Sequence, residues 1–283
     1  MLQNNQFSFA DDFVFCSVLL RDKKLCMELI ELILDVKVKD ITYINSQQTI
    51  EAAYDSKGIR LDVYVEGSDA VYDLEMQTVL SKNLAKRSRF YQSMIDQSLL
   101  EKGEDYEKLR KSYVVFICLS DPFDRNLSRY RLRKLCMEDS SIDFDDGSET
   151  VLLNASGKRE GLSSSLTAFL DYLKTREVQD VFTGRINDKV TETTSDPEWR
   201  KERMTLDMKL KEYRDMGRAE GLQEGHSLGL QEGHSLGFEE GSENTYKILA
   251  VRMYNNGLGL PISEIARLLE KDEEKIKEYL GIL

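Results

Sequence analysis

Two alternating stretches, GIRLDVYVE (58–66) and AVYDLEMQTV (70–79), carry the side chains best suited to chemistry. Successive side chains of an extended strand point to opposite faces. Ile59, Leu61, Val63 and Val65 therefore share one face of the first stretch, and Arg60, Asp62, Tyr64 and Glu66 the other. On the second stretch Asp73, Glu75 and Gln77 lie opposite Tyr72, Leu74 and Met76. Gly67, Ser68 and Asp69 between them predict a β-hairpin. A loop at Ser68-Asp69 sets Tyr64 across from Asp73, Asp62 across from Glu75 and Arg60 across from Gln77. Facing carboxylates with Cβ atoms roughly 5 Å apart repel, unless a cation sits between them or both face water. With the Gln77 carbonyl on the same face, the first case gives an oxygen-rich pocket suited to Mg²⁺ or Mn²⁺. The second is a solvated polar sheet face.

Histidine narrows the chemistry further. The 283 residues contain two, His226 and His234, both inside a glycine-rich repeat, where they read as passengers of a duplication. The first 225 residues thus exclude Ser-His-Asp and Cys-His catalysis and His-ligated zinc, and leave carboxylates, lysines, hydroxyls or a hard metal ion. Cys16, Cys26, Cys118 and Cys136 lack CxxC spacing and read as reduced core residues. A net charge of -12, from 51 acidic and 39 basic residues, argues against a simple charge-driven nucleic-acid coat. No stretch approaches the roughly 20 apolar residues of a membrane span. The start MLQNNQFSFADD lacks a signal-peptide pattern. A soluble, cytoplasmic protein without membrane contact is expected.

The elements that must position these residues follow from periodicity. Residues 23–35 carry Leu25, Leu29, Leu32 and Ile33 at helical spacing. A β-rich stretch covers 40–53, then comes the hairpin, and 82–101 returns to helical periodicity before Gly103. YVVFICL (113–119) reads as a buried central strand. The order α, β, β, β, α, β predicts a mixed α/β core. Beyond it lie an acidic surface segment (138–149), a helix over 161–175 and a polar boundary at 187–198 containing Pro197. The expected divisions are a core at 1–190, a charged helical linker at 191–216, a tandem repeat at 217–243 and a small helical unit at 244–283.

This pattern resembles the PD-(D/E)xK nuclease superfamily, and within it the Rpn family of recombination-promoting nucleases and transposases. Four segments carry the resemblance: FVFCSVLLRDKKLCMELIELIL, IRLDVYVEGSDAVYDLEMQ, RSRFYQSMIDQSLLEKGEDYEKL and YVVFICLSDPF. It implies a restriction-endonuclease-like αβββαβ mixed sheet flanked by helices, with an α-helical C-terminal extension. It also implies a Mg²⁺- or Mn²⁺-dependent DNA endonuclease that hydrolyses phosphodiester bonds in recombination, transposition or mobile-element defence. Asp62 and Glu75 match the metal-binding pair, Gln77 stands where most of the superfamily has lysine, and Arg87 and Tyr91 match a helical pair at i and i+4. The chain departs from the family start in DDFVFCSVL, which lacks a lysine after the phenylalanine; Asp11 or Asp12 is then a further carboxylate for the metal. Asp73 is another. Glutamine orients or ligates but carries no charge, so Lys82, Lys86 or Arg87 would supply it, or the metal alone would activate water. The alternative is a weak or inactive nuclease fold serving as a DNA-binding, oligomerising accessory protein.

Two basic islands suit DNA phosphates: KNLAKRSR, with Lys82, Lys86, Arg87 and Arg89, and RNLSRYRLRK, with Arg125, Arg129, Arg131, Arg133 and Lys134. Solvated helix faces are the other reading of both. From Gly217 to Gly241 glycine recurs every fourth residue, and GLQEGHSL occurs twice in tandem. Each glycine costs a helix about 1 kcal/mol relative to alanine. Either a partner-stabilised helix or a flexible tether is expected. The tail has a helix-turn-helix rhythm, as a transcription-regulator module would. Its third helix, however, opens on Asp272, Glu273 and Glu274, the wrong sign for phosphates. Homo-oligomerisation or docking through the repeat and tail is expected instead.

Overall fold

Period-two stretches along the first half of the chain assemble into one mixed sheet. The computed structural model describes residues 7–50, 59–79, 82–255 and 259–282. Two compact units are present, Met1–Met204 and Thr205–Leu283. In the first, helices α1 (Asp12–Arg21) and α2 (Lys23–Leu34) precede strands β1 (Ile41–Ile50), β2 (Ile59–Gly67) and β3 (Ala70–Gln77). Then follow α3 (Leu84–Leu99), β4 (Lys111–Cys118), β5 (Arg129–Leu132), β6 (Ser148–Asn154), α4 (Ser164–Thr175) and α5 (Val181–Ser195). The expected αβββαβ order is present, with α1 as an additional helix at its start.

The described sheet has the order β1-β2-β3-β4-β6-β5. β3 pairs in parallel with β4, and β4 with β6, while the remaining pairs are antiparallel. Parallel strands are covered on both faces, which accounts for the near-complete burial of YVVFICL. One face packs Val63, Leu74, Val115, Ile117 and Val151 against α1, α2, α4 and α5. The other packs Tyr64, Val114, Phe116 and Leu152 against Leu84, Met94 and Ile95 of α3. Short polar caps set the helix starts. Asp11 accepts from the main-chain N–H groups of Phe13 and Val14 to begin α1, and Asp22 accepts from that of Leu25 to begin α2.

The hairpin register is the expected one: Tyr64 pairs with Asp73, Val63 with Leu74 and Val65 with Tyr72. The expected faces hold except at Leu61. It packs in the α3-side cluster and not with Val63 and Val65, where β2 has parted from β3 while remaining paired with β1. Another correction concerns 187–198. Asp180 and Thr183 form a capping box, and α5 runs through that polar stretch to Ser195. The break is a single residue, Asp196, held extended (ψ 122) before Pro197, which opens the next helix, α6 (Pro197–Asn255). Trp199 then belongs to the first unit. It is 1% exposed, donates from Nε1 to Ser17 Oγ at 2.9 Å and meets Phe7 edge-on at 5.1 Å. Arg203 pairs with Asp11 at 3.1 Å.

Cys16, Cys26 and Cys118 are buried thiols, as expected, but Cys136 is only half-buried, beside Glu138. In the second unit the glycine repeat is helical throughout. At each of its glycines the space where a Cβ would stand is open. Helices α7 (Ile262–Leu269) and α8 (Glu273–Leu280) pack Ile265, Leu269 and Ile276 around Ala250. Glu243 accepts from the Tyr279 hydroxyl at 2.5 Å and pairs with Lys271 and Lys275 at 3.5 Å. Among the described residues no helix is long and apolar enough to cross a membrane.

Candidate active site

β3 is held unequally on its two edges. Its parallel register with β4 runs from Ala70 to Gln77, whereas its antiparallel register with β2 stops at Val63–Leu74. Beyond that point side chains take over the ladder. The main-chain N–H of Asp62 donates to Glu75 Oε1 at 3.0 Å, and that of Met76 donates to Asp62 Oδ2 at 3.1 Å. This reciprocal clasp holds Asp62 and Glu75 side by side at the C-terminal end of β3. From α1, Cys16 adds a thiol contact to the Asp62 carbonyl at 3.3 Å.

Helix α3 closes the other side. Arg87 donates from Nη2 to Glu75 Oε2 at 3.1 Å and to the Tyr91 hydroxyl at 3.0 Å, and from Nη1 to Gln77 Oε1 at 2.9 Å. Its guanidinium carbon lies 5.3 Å from the Tyr91 ring centre and 5.5 Å from that of Phe116, within cation–π reach. Burial opposes the charge on Arg87, but Tyr91, Glu75 and Asp62 outweigh it and raise its pKa. The structure thus brings together Asp62, Glu75, Gln77, Arg87 and Tyr91. The ion pair to Glu75 comes from Arg87; Lys82, Lys86 and Arg89 are exposed. The Gln77 carbonyl, expected to face an ion, accepts from Arg87 in this structure.

Negative charge exceeds positive here. Glu75 is 2% exposed, and burial followed by the charge of Asp62 pushes its pKa up to about 8, against the Asp62 N–H and Arg87. Asp73, two residues earlier on the same face, is fully buried, and neither carboxyl oxygen has a hydrogen-bond partner. Burial, Glu75 and Asp62 raise its pKa well above the ordinary carboxylate range, with Arg87 pulling the other way. Asp12, exposed in the first turn of α1, also acts on Glu75, and its own pKa is raised by partial burial and by Asp11, against Arg203.

A hard divalent cation suits this donor set, since Asp62 and Glu75 offer only oxygen and, among the described residues, Arg87 is the cation paired with Glu75 where Asp62, Glu75 and Asp73 crowd together. Among the described residues no group of three or more His, Cys, Asp or Glu side chains forms a ready-made metal cage. An ion bound here would retain water in several positions, as Mg²⁺ commonly does.

The second basic island is arranged differently from expectation. It runs from a loop through β5 and beyond it, not along a helix face. Arg129 donates to the Ile33 carbonyl at 3.1 Å. Arg131 and Arg133 share Glu149 at 2.5 and 2.9 Å, and Lys134 pairs with Asp146. Glu149 is 4% exposed; despite burial, the two arginines hold its carboxyl below the usual range. Arg125 is exposed. Sequence reasoning missed Cys16 and Phe116. Cys16 lies at i+4 from Asp12 and so on the same helical face, a usable signal. Phe116 sits in a uniformly apolar run that marks no position as special.

Residues 10–219 match the sequence family described as PD-(D/E)XK nuclease family transposase. No curated protein and no solved structure matches the chain.

Proposed function

Given that the chain belongs to the PD-(D/E)XK nuclease family transposases, we propose that it is a divalent-metal-dependent DNA endonuclease, Mg²⁺ or Mn²⁺ being the cofactor, acting in recombination, transposition or mobile-element defence. The observation that carries this reading is the clasp of Asp62 and Glu75 beside the Arg87 guanidinium. The two carboxylates would hold the ion. When bound, the ion supplies Lewis-acid polarisation of a phosphate oxygen and a more acidic water. Arg87 faces the charge that develops on the phosphate in the transition state, where a planar guanidinium is the better donor. Gln77 and Tyr91 fix the orientation of Arg87, so the usual lysine's charge is replaced by a residue of the following helix. Phosphate contacts outside the centre fall to exposed Lys82, Lys86, Arg89 and Arg125. Arg131, Arg133 and Lys134 can join them only by exchanging their carboxylate partners.

We place the protein in the cytoplasm and assign homo-oligomerisation to the repeat and tail, where Leu222, Leu230 and Phe238 are exposed at eight-residue intervals along α6. The test is direct. Purified protein cuts DNA with Mg²⁺ or Mn²⁺, EDTA stops the reaction, and Asp62→Ala or Glu75→Ala abolishes it. Undiminished cleavage by either variant overturns the assignment. The engagement of Gln77 by Arg87 favours one second reading, a DNA-binding accessory protein on a nuclease fold. Metal-independent DNA binding with no cleavage of any substrate would establish it.

A further inference from the structure

α3 covers only part of its face of the sheet. Between it and β6 and β5 lies a groove of about 380 Å³, within the range of about 300–1,000 Å³ typical of small-ligand sites. Its floor is Phe116 and Leu152, and Leu132 and Phe123 line it further out, Phe123 being held edge-on by Tyr130 at 5.0 Å. The groove adjoins the candidate centre through Phe116, whose ring also lies 5.5 Å from the Arg87 guanidinium carbon.

Polar groups mark what could enter. Ser88 and Thr150 satisfy each other at 2.5 Å. Gln92 donates to Ser112 and, at 3.2 Å, to Asp96, which leaves Gln92 Oε1 buried without a donor. Gln92 and Asp96 therefore place acceptors beside the apolar floor of a groove whose walls also carry Ser93 and Ser148. Arg89 stands exposed on α3, and Arg133 and Lys134 stand on the opposite wall, paired with Glu149 and Asp146. An apolar peptide would leave both acceptors and the exposed Arg89 unanswered. A nucleotide carries all three complements in one unit: a flat ring for the exposed Phe123, an exocyclic amine for the acceptors and a phosphate for the cations.

We propose that this groove is a subsite for one unpaired nucleotide of the DNA substrate, so that the enzyme engages single-stranded, bulged or locally unstacked DNA in preference to a regular duplex. A base stacked inside a duplex cannot reach a recess of this kind; one that is flipped or already unpaired can. The inference rests on the nuclease reading above and names the substrate class of that site.

The experiment uses the full-length protein in EDTA, with fluorescein-labelled single-stranded, fully paired and single-bulge oligonucleotides of one length, read by anisotropy. A second set carries 2-aminopurine at the unpaired position. Single-stranded and bulged DNA should bind about tenfold more tightly than the duplex, as one base stacked on an exposed aromatic side chain provides. The 2-aminopurine fluorescence should be quenched. Ala85→Trp, which fills the groove from an exposed helix position, and Arg89→Ala, which removes an exposed cation, should each abolish the preference while leaving the thermal melt unchanged. Equal affinity for the three DNAs, or a preference that survives both variants, overturns the subsite. So does a change in sedimentation mass with Ala85→Trp and no change in binding, which would make the groove an interface between copies. If all DNAs bind equally and Glu75-dependent cleavage persists, the subsite alone fails. If wild-type protein neither binds DNA in EDTA nor cuts it with Mg²⁺ or Mn²⁺, the nuclease reading fails with it.

Discussion

Glu75→Gln should make the metal-free protein less sensitive to alkaline pH while removing its chemistry. In the folded chain the Glu75 pKa stands at about 8 against an ordinary 4.5, chiefly through burial and secondly through Asp62. A raised carboxyl pKa means that the folded state holds the proton more tightly than the unfolded state. The associated stability is fully present below about pH 4.5 and is lost as pH rises through about 8. An interval of about 3.5 pH units at about 1.36 kcal/mol each sets an upper bound of about 5 kcal/mol for this loss. Glutamine keeps an oxygen for the Asp62 N–H and does not ionise, so the variant should escape most of it. The assay is urea denaturation in EDTA at pH 5 and pH 8.5 for both proteins, the quantity of interest being the difference between their pH-induced losses. Asp73, whose own pKa Glu75 helps to raise, is relieved in the variant as well, so its share of the pH-induced loss shrinks in the same direction. A saturating divalent ion at pH 8.5 should stabilise the wild type by about 2.7 kcal/mol at a hundredfold excess over its Kd, and leave Glu75→Gln unmoved. Parallel losses in the two proteins would show that Glu75 ionises normally, and the account of crowded carboxylates would be wrong.

Three further outcomes are expected. Arg87→Met should lower the cleavage rate by about 10²–10³, the usual effect of removing one transition-state donor; single-turnover kinetics should register this while the divalent-ion shift in melting persists. Trp199→Ala should destabilise the first unit by about 3–5 kcal/mol through the cavity and the lost bond to Ser17, as measured by urea denaturation. Gly229→Ala meets open space on the helix surface, so helicity should survive heating better by up to about 1 kcal/mol; unchanged or lower thermal stability by circular dichroism would mean that the position is not helical in solution.

The hairpin was readable because its pairing hangs on one short loop: once Ser68 and Asp69 turn the chain, Asp62 and Glu75 must lie near each other. Arg87 and Tyr91 were readable for a comparable reason, since positions four apart on a helix share a face. What escaped depends on residues far apart in the chain. The Cys16 thiol meets a carbonyl 46 positions away, and Trp199 meets Ser17 across 182. Composition can mark Arg131 and Arg133 as basic, but only the pairing of β5 with β6 brings them to Glu149. The polar stretch before Pro197 misled because its capping box outweighs a composition that looks like a linker. The glycines left helix and tether equally open, since low propensity alone does not decide between them, and the structure has the helix.

That glycine-repeat helix has a genetic consequence. Two adjacent, identical copies of GLQEGHSL make the eight-residue unit the natural step by which this helix gains or loses length. Eight residues on a continuous helix amount to about 12 Å of rise and a net turn of about 80°. A lineage gaining or losing one copy would leave the carboxylate centre untouched and rephase the α7–α8 tail by that step relative to the start of the repeat. Copy number would then act as an inherited, discrete setting of which surfaces the tail can meet.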